Sequence, residues 1–508
     1  LSPLVRTLVL VVAAIGFLFD TYELLMFPII GSDAVAELVS TPENRVSPQS
    51  DVVRLWAGRM LWIAALSGGV FGLLGGWLID RLGRKTVMVA AILLYSFSPM
   101  LAAYSTELWM LILFRCTTFV GVCVEMVAAV TWLAELFTDK RTREMAIGWT
   151  LATASLGGIL VTEVYNLIVE QGRSGGLPNG FLGVSFPEGH DPNNRAWRFT
   201  LLTGLIPGLA ILILLPFVPE SRAWLEKKRA GTLRRPRFGE LFAPHLLRTT
   251  IVTTVLSACG YAAAFGALQM TPLQIAPGLP DVVERQKEVA RIEEQVKTAP
   301  AGSPERAAAE KELAETRRDA ASYAKAKRGN IQRWQELGGL SGRILLAILL
   351  TMVPSRLLLR LFLVPGVILF PLTYANLVTA PYVVFATAIF FCGLLTVAQF
   401  SYLSEFLPKV FPLHLRGTGG SFATNIGGRM IGTMAAIVNT ELLSPQFSGS
   451  NPMRVAMAAA VIGGTVYLIA LIASIWLPEP KMEEQRGDVP PPSSPLSAGD
   501  AGTGDGRR

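Results

Sequence analysis

The stretch "GGWLIDRLGRK" occupies residues 75–85 and separates two long apolar runs. Gly76 lets neighbouring helices approach closely. Asp80 closes the first run, Gly83 follows it, and Arg81, Arg84 and Lys85 crowd the break before the next run begins. A charged break this short, between runs each long enough to cross a bilayer of about 30 Å, is a turn at a membrane surface. Its basic residues can hold neighbouring acids and anionic lipid, and they assign this surface to the cytoplasmic side.

Working outward, the same pattern recurs along the chain. Of 508 residues, 51% are hydrophobic and only 16% charged, against about 25% charged in soluble domains. The mean hydropathy is +0.45. Twelve apolar runs are predicted as spans, near 5–30, 55–79, 86–105, 108–136, 145–169, 197–218, 246–270, 337–354, 359–378, 381–403, 417–441 and 453–477. The first is too long for a secretory signal, and no small-residue cleavage site follows it. Every second connection is basic, which places both termini in the cytoplasm. The net charge of +7 therefore reflects loop topology and is no sign of nucleic-acid binding. Cys116, Cys123, Cys259 and Cys392 lie in apolar runs, so no disulfide framework is implied. His190, His245 and His414 lie outside the runs and assemble no metal cluster. No nucleotide loop or nucleophile constellation is present, so the sequence reads as neither an enzyme nor a cofactor protein.

The two halves echo each other. "GGVFG" (68–72) has its counterpart in "GGLSG" (338–342), and "AELF" (134–137) in "SEFL" (404–407). Each half closes on Pro-Glu. The expected fold is an all-α membrane protein of twelve transmembrane helices in two six-helix bundles related by an internal repeat, with a site at the midplane between them. The expected units are an N-terminal bundle (1–225), a cytoplasmic loop (226–245) and a C-terminal bundle (246–481). A polar insert (271–336) between spans seven and eight reads as a helical hairpin outside the bilayer, because Ser303-Pro304-Glu305 supplies a cap, a first-turn proline and an early acid. Residues 482–508, rich in Pro, Ser, Gly and Asp, read as a disordered cytoplasmic tail.

With these features in place, residues 75–85 resemble the G-x-L-x-D-R-x-G-R-[RK] signature of the major facilitator superfamily. Arg115, Gly121 and Glu135, followed by basic residues such as Arg143, resemble that family's fourth-span pattern. "WRFTLLTGLIPGLAILILLPFVPESRAWL" (197–225), which contains Glu220, is similar to the sixth span of sugar porters and organic-ion carriers. "SEFLPKVFPLHLRGTGGSFATNIGGRMIG" (404–432), with Glu405 and Arg416, resembles the tenth-to-eleventh connection of metabolite–proton symporters. The resemblance implies the major facilitator fold and a gate in which Asp80 meets the dipole end of span eleven. The second half lacks the signature and reads "LLTMVPSRLLLR" at that place, so its gate is held differently.

Charges inside spans are costly, at least about 2.5 kcal/mol each, and usually functional. "GFLFDTYELLMF" (16–27) carries Asp20 and Glu23 on one helix face. At roughly 1.5 Å per residue, Asp20 and Arg115 both lie about 10 Å from the outer surface. They are expected to pair, with release from Arg115 allowing Asp20 to take a proton. In proton-linked sugar porters an acid of span one and an arginine of span four have this role, so the resemblance assigns it to Asp20 and Arg115. Glu23 and Glu125 are the further proton-coupling candidates. Tyr22, Arg429, Tyr261, Gln399, Tyr402, Asn425 and Arg343 are the candidate substrate-binding residues. "NIGGRMIG" (425–432) resembles organic-anion carriers, and the glutamine pair and tryptophan typical of hexose porters are missing from spans seven and ten. The expected function is proton-coupled transport of a small organic solute, an organic anion, by alternating access. The alternatives are a sugar or polyol porter, drug or organic-ion efflux, or a non-transporting nutrient sensor on the same fold. The expected partners are the small-molecule substrate, protons and membrane lipid, with the protein a monomer in a bacterial inner membrane.

Overall fold

The computed structural model describes residues 3–478, apart from 42, 137–139, 175, 188–193, 215–219, 221–224, 227–228, 230–237, 301–302, 351 and 413–414. The 482–508 segment lies outside the described residues. So do the side chains of Asp80, Glu135, Arg143 and Arg416 and the surroundings of Gly76.

Long apolar helices dominate. In the first half these are α1 (Pro3–Val39), α2 (Asp51–Leu82), α3 (Arg84–Ala102), α4 (Leu108–Leu136) and α5 (Lys140–Arg173), then a sixth span in two pieces, α6 (Ala196–Leu202) and α7 (Leu205–Leu214). The second half begins with α8 (Pro244–Ala263). The polar insert supplies α9 (Pro280–Thr298), and α10 (Pro304–Leu349) follows. Then come α11 (Ser355–Ala375), α12 (Tyr382–Val410), α13 (Arg416–Phe422) and α14 (Asn451–Ala473). A small antiparallel hairpin, Gly180–Phe181 with Val184–Ser185, decorates the loop after α5. Among the described residues, eight helices are long and apolar enough to cross a membrane.

Gly83 makes the turn between α2 and α3 alone. Its φ of 105° and ψ of 152° lie in a region essentially reserved for glycine. Its N–H closes α2 on the carbonyl of Ile79 at 3.0 Å, and its own carbonyl accepts from Val87 at the start of α3. Arg84 Nη1 also donates to the carbonyl of Ile79, at 3.0 Å. The Lys85 N–H donates to Glu220 Oε1 at 3.1 Å, so the signature turn is tied to the chain leaving span six.

Spans seven and eleven are irregular. After α8 the helix widens into π turns at Ala264–Leu268 and Thr271–Ile275. Span seven thus continues past residue 270, and the insert proper begins at Pro280. Span eleven is π-wound over Ala423–Ile431 and again over Val438–Leu443, the kind of distortion that gathers at functional sites. Ser303 caps α10 by accepting the Arg306 N–H at 3.1 Å. From there α10 runs 46 residues without a break, so the second arm of the insert and span eight form one helix.

The halves meet in a seal at the insert end. Arg328 of α10 donates to Asp33 Oδ2 and to the carbonyl of Ile29 on α1, both at 2.9 Å. These side chains are only 3% and 7% exposed. Arg333 pairs with Glu163 of α5 at 2.5 Å. On the opposite flank Arg54 donates to the carbonyl of Thr440 and to Ser444 Oγ, and Arg59 pairs with Glu441 at 2.6 Å.

Candidate functional site

The buried charges gather where α1, α4 and span eleven converge. Asp20 and Glu23 of α1 and Glu125 of α4 are all buried. Asp20 Oδ1 and both carboxyl oxygens of Glu23 and Glu125 receive no hydrogen bond from the described residues. Glu125 fills a notch left by Gly16, where a Cβ would overlap its Oε1. This brings Glu125 within hydrogen-bonding reach of Asp20, one turn further along α1. Two carboxyl groups so placed in a low-dielectric setting cannot both stay ionised without cost. They form a bond as soon as one carries a proton.

Arg115 does not pair with Asp20. Its Nη1 donates to the carbonyl of Glu23 at 2.8 Å and its Nη2 to that of Leu24 at 3.0 Å. Its guanidinium lies over the rings of Phe27 and Phe119, at 5.3 and 4.8 Å. Its charged neighbour is Glu23. The expectation of an Asp20–Arg115 pair is therefore corrected. The depth estimate is off by about a turn: Arg115 meets α1 at Glu23 and Leu24, beyond Asp20, and the α4 side chain that reaches back toward Asp20 is Glu125.

The cation that faces Asp20 comes from the other half. Arg429 is buried in the π-wound stretch of span eleven. It donates to Asn425 Oδ1 at 2.6 Å and to Met126 Sδ of α4 at 3.7 Å. Asp20, Cys123 and Tyr261 share its electrostatic surroundings. Tyr261 lies against Gly428, and Asn425 fills the notch at Gly72 of α2. Arg429, Asn425 and Tyr261 are thus brought together with Asp20 and Glu125.

Other candidates lie elsewhere. The Tyr22 hydroxyl hydrogen-bonds Thr203 Oγ1 of span six at 2.5 Å, inside the first bundle. Glu23 also turns toward span six, against Gly204. Tyr402 is held by Ser355 Oγ at 2.7 Å and stacks on Phe406, so its hydroxyl braces α12 on α11. Gln399 sits between Gly260 and Tyr467. Arg343 has Glu336 of its own helix as its charged neighbour. Glu405 pairs with Lys409, and Arg81 is exposed.

Sequence reasoning missed Arg328, Asp33, Arg54 and Glu336. Asp33, Glu37 and Arg54 carry a usable signal, since each is a charge within the apolar ends of α1 or α2. Glu37 proves to be a structural anchor, pairing with buried Arg198 at 2.9 Å and accepting from Trp197 at 2.9 Å.

Two halves sealed against each other at one end, with buried acids of the first half near a guanidinium of the second, have the architecture of a repeat-built membrane protein with its site at the seam. The chain belongs to the Major Facilitator Superfamily, whose family model matches residues 9–286. It is an integral membrane protein of a transporter family, not an enzyme. The sialic acid transporter NanX of Escherichia coli is 26% identical over 245 residues, 48% of this chain and 51% of that one. The 4-hydroxybenzoate transporter PcaK of Pseudomonas putida is 33% identical over 171 residues, 33% of each chain. The arabinose-proton symporter of Bacillus subtilis is 30% identical over 161 residues, 32% of this chain and 31% of that one. The chain thus aligns with about half of the first relative's length and about a third of the others'. In three dimensions it resembles the D-xylose-proton symporter, with a TM-score of 0.64 at 16% identity over 94% of this chain and 99% of that one.

Proposed function

We propose that the protein is a proton-coupled transporter of a small organic anion, set in a bacterial inner membrane with both termini in the cytoplasm. The basic connections support that orientation. The observation that carries the transport reading is Arg429 of the second half, whose acidic neighbour across the seam is Asp20, with Glu125 beside Asp20. In the empty site the guanidinium offsets the negative charge of the acid pair. A substrate carboxylate docking on Arg429 cancels that positive charge, and a proton taken up by the Asp20–Glu125 pair restores the balance. Substrate and proton therefore bind together, and the neutralised site can change sides. Glu23, held beside Arg115 within the first bundle, has no place in this exchange.

The test is uptake into proteoliposomes under an imposed pH gradient, using a panel of small carboxylates and neutral pentoses. Carboxylates should accumulate against their gradient. Asp20→Asn should abolish this accumulation while sparing exchange of substrate across the membrane, and Arg429→Gln should weaken substrate binding. Unchanged accumulation in Asp20→Asn refutes the proton role. Accumulation of pentoses alone would favour the second reading, a sugar–proton symporter, which the partial match to the arabinose-proton symporter supports.

A further inference from the structure

The second half carries a buried acid of its own. Glu336 of α10 is 8% exposed. Its Oε1 accepts from Gln332 Nε2 at 2.7 Å and from Gln335 Nε2 at 3.2 Å. Both donors are neutral amides. The carboxyl plugs into α5 on the opposite half, where a Cβ at Gly158 would overlap Oε2. The adjacent Gly157 gives α1 its close approach, with the carbonyl of Leu18 and the N–H of Tyr22 lying where its Cβ would be. Glu336 therefore sits one helix away from the level of Asp20.

We propose that Glu336 is a second coupling carboxyl, which binds a proton when the α5–α10 seam closes and releases it when the seam opens. The proposal rests on the transporter reading above. Closing the seam moves the carboxyl from water into a socket whose hydrogen bonds come from amides alone, and this penalises the ion far more than the neutral acid. Its charged neighbour is Arg343, two turns along the same helix. From α5 it meets Gly158, and Glu163 there is engaged by Arg333. From α12, Phe390, Leu394 and Val397 pack on the glycines at 338, 342 and 339, and none of them carries charge.

The test reads the seam directly and needs no substrate. Spin labels on the exposed positions Glu170→Cys and Glu315→Cys, in the full chain without its native cysteines, report the α5–α10 distance by electron–electron resonance across a pH series. The open fraction should rise with pH. Glu336→Gln should stay closed throughout, and Gly158→Ala, which displaces the carboxyl from the opposite half, should move the midpoint by about one pH unit or more. Asp20→Asn should leave the titration in place. A Glu336→Gln protein that titrates like the parent overturns the proposal, as does a titration lost in Asp20→Asn but kept in Glu336→Gln. Failure of uptake with an intact seam titration would count against the organic-anion reading alone.

Discussion

Replacing Asp33 by Asn leaves Arg328 buried without its counter-ion whenever the insert end is shut. Removing one partner of a buried ion pair costs about 3–5 kcal/mol. Arg328 keeps its bond to the carbonyl of Ile29 at 2.9 Å, so the lower figure applies. In the open state the guanidinium is hydrated and the loss vanishes. The cost therefore falls on the closed state alone and shifts the equilibrium toward opening by roughly a hundredfold, at about 1.4 kcal/mol per tenfold. Ser32 is fully buried and accepts from Gln274 across the seam at 3.0 Å, which makes Ser32→Cys a reporter of opening in a background without native cysteines. Maleimide should label it roughly a hundredfold faster with Asp33→Asn. Adding Arg328→Met to Asp33→Leu removes both charges and should return labelling close to the parent rate, because an apolar pair of similar volume tolerates burial. Labelling unchanged by Asp33→Asn, or equally fast in the double variant, would refute this account of the seal.

Alanine at Gly83 should lower the melting temperature of the purified protein, at a cost of about 1–3 kcal/mol, because no side chain tolerates that backbone. Gly239→Ala, with open space around it, should change nothing. At the root of the insert, burial works to raise the Asp281 carboxyl. Hydrogen bonds from Lys327 and Tyr323, with the charge of Lys327, outweigh this and hold it below the usual range. A depressed carboxyl contributes stability that is full above its unfolded value near pH 4 and is lost as pH falls through the folded one. The protection of α9 amides, relative to the intrinsic exchange rate at each pH, should therefore fall as pH drops below about 4, and Asp281→Asn should show that lower protection even near neutrality.

The sequence made the helical architecture legible because bilayer physics writes it in long apolar runs, and the turn at Gly83 because glycine and charge coincide there. The site was legible by residue type, but not by the register of one helix against another. Counting residues from each span's end puts Asp20 and Arg115 at one height, whereas Arg115 sits about a turn beyond Asp20 and donates to the carbonyls of Glu23 and Leu24, the latter left without its helical donor by Pro28. Tyr402 looked like cavity lining because its partner, Ser355, is distant in sequence. Arg328 and Glu336 were passed over because both fell within the stretch assigned to the insert, 271–336, which hid the fact that α10 is one helix from Pro304 to Leu349. The π-wound path that carries Arg429 has no signature beyond a run of glycines.

The unbroken course of α10 has a mechanical corollary. The 24 residues from Pro304 through Lys327 project roughly 36 Å beyond the seal as a rigid arm. A tilt of about 10° in the second half would swing its tip by about 6 Å on that geometry. A binder gripping the arm could therefore jam the rocking motion from a distance, and a dye at its tip would display each stroke with built-in gain.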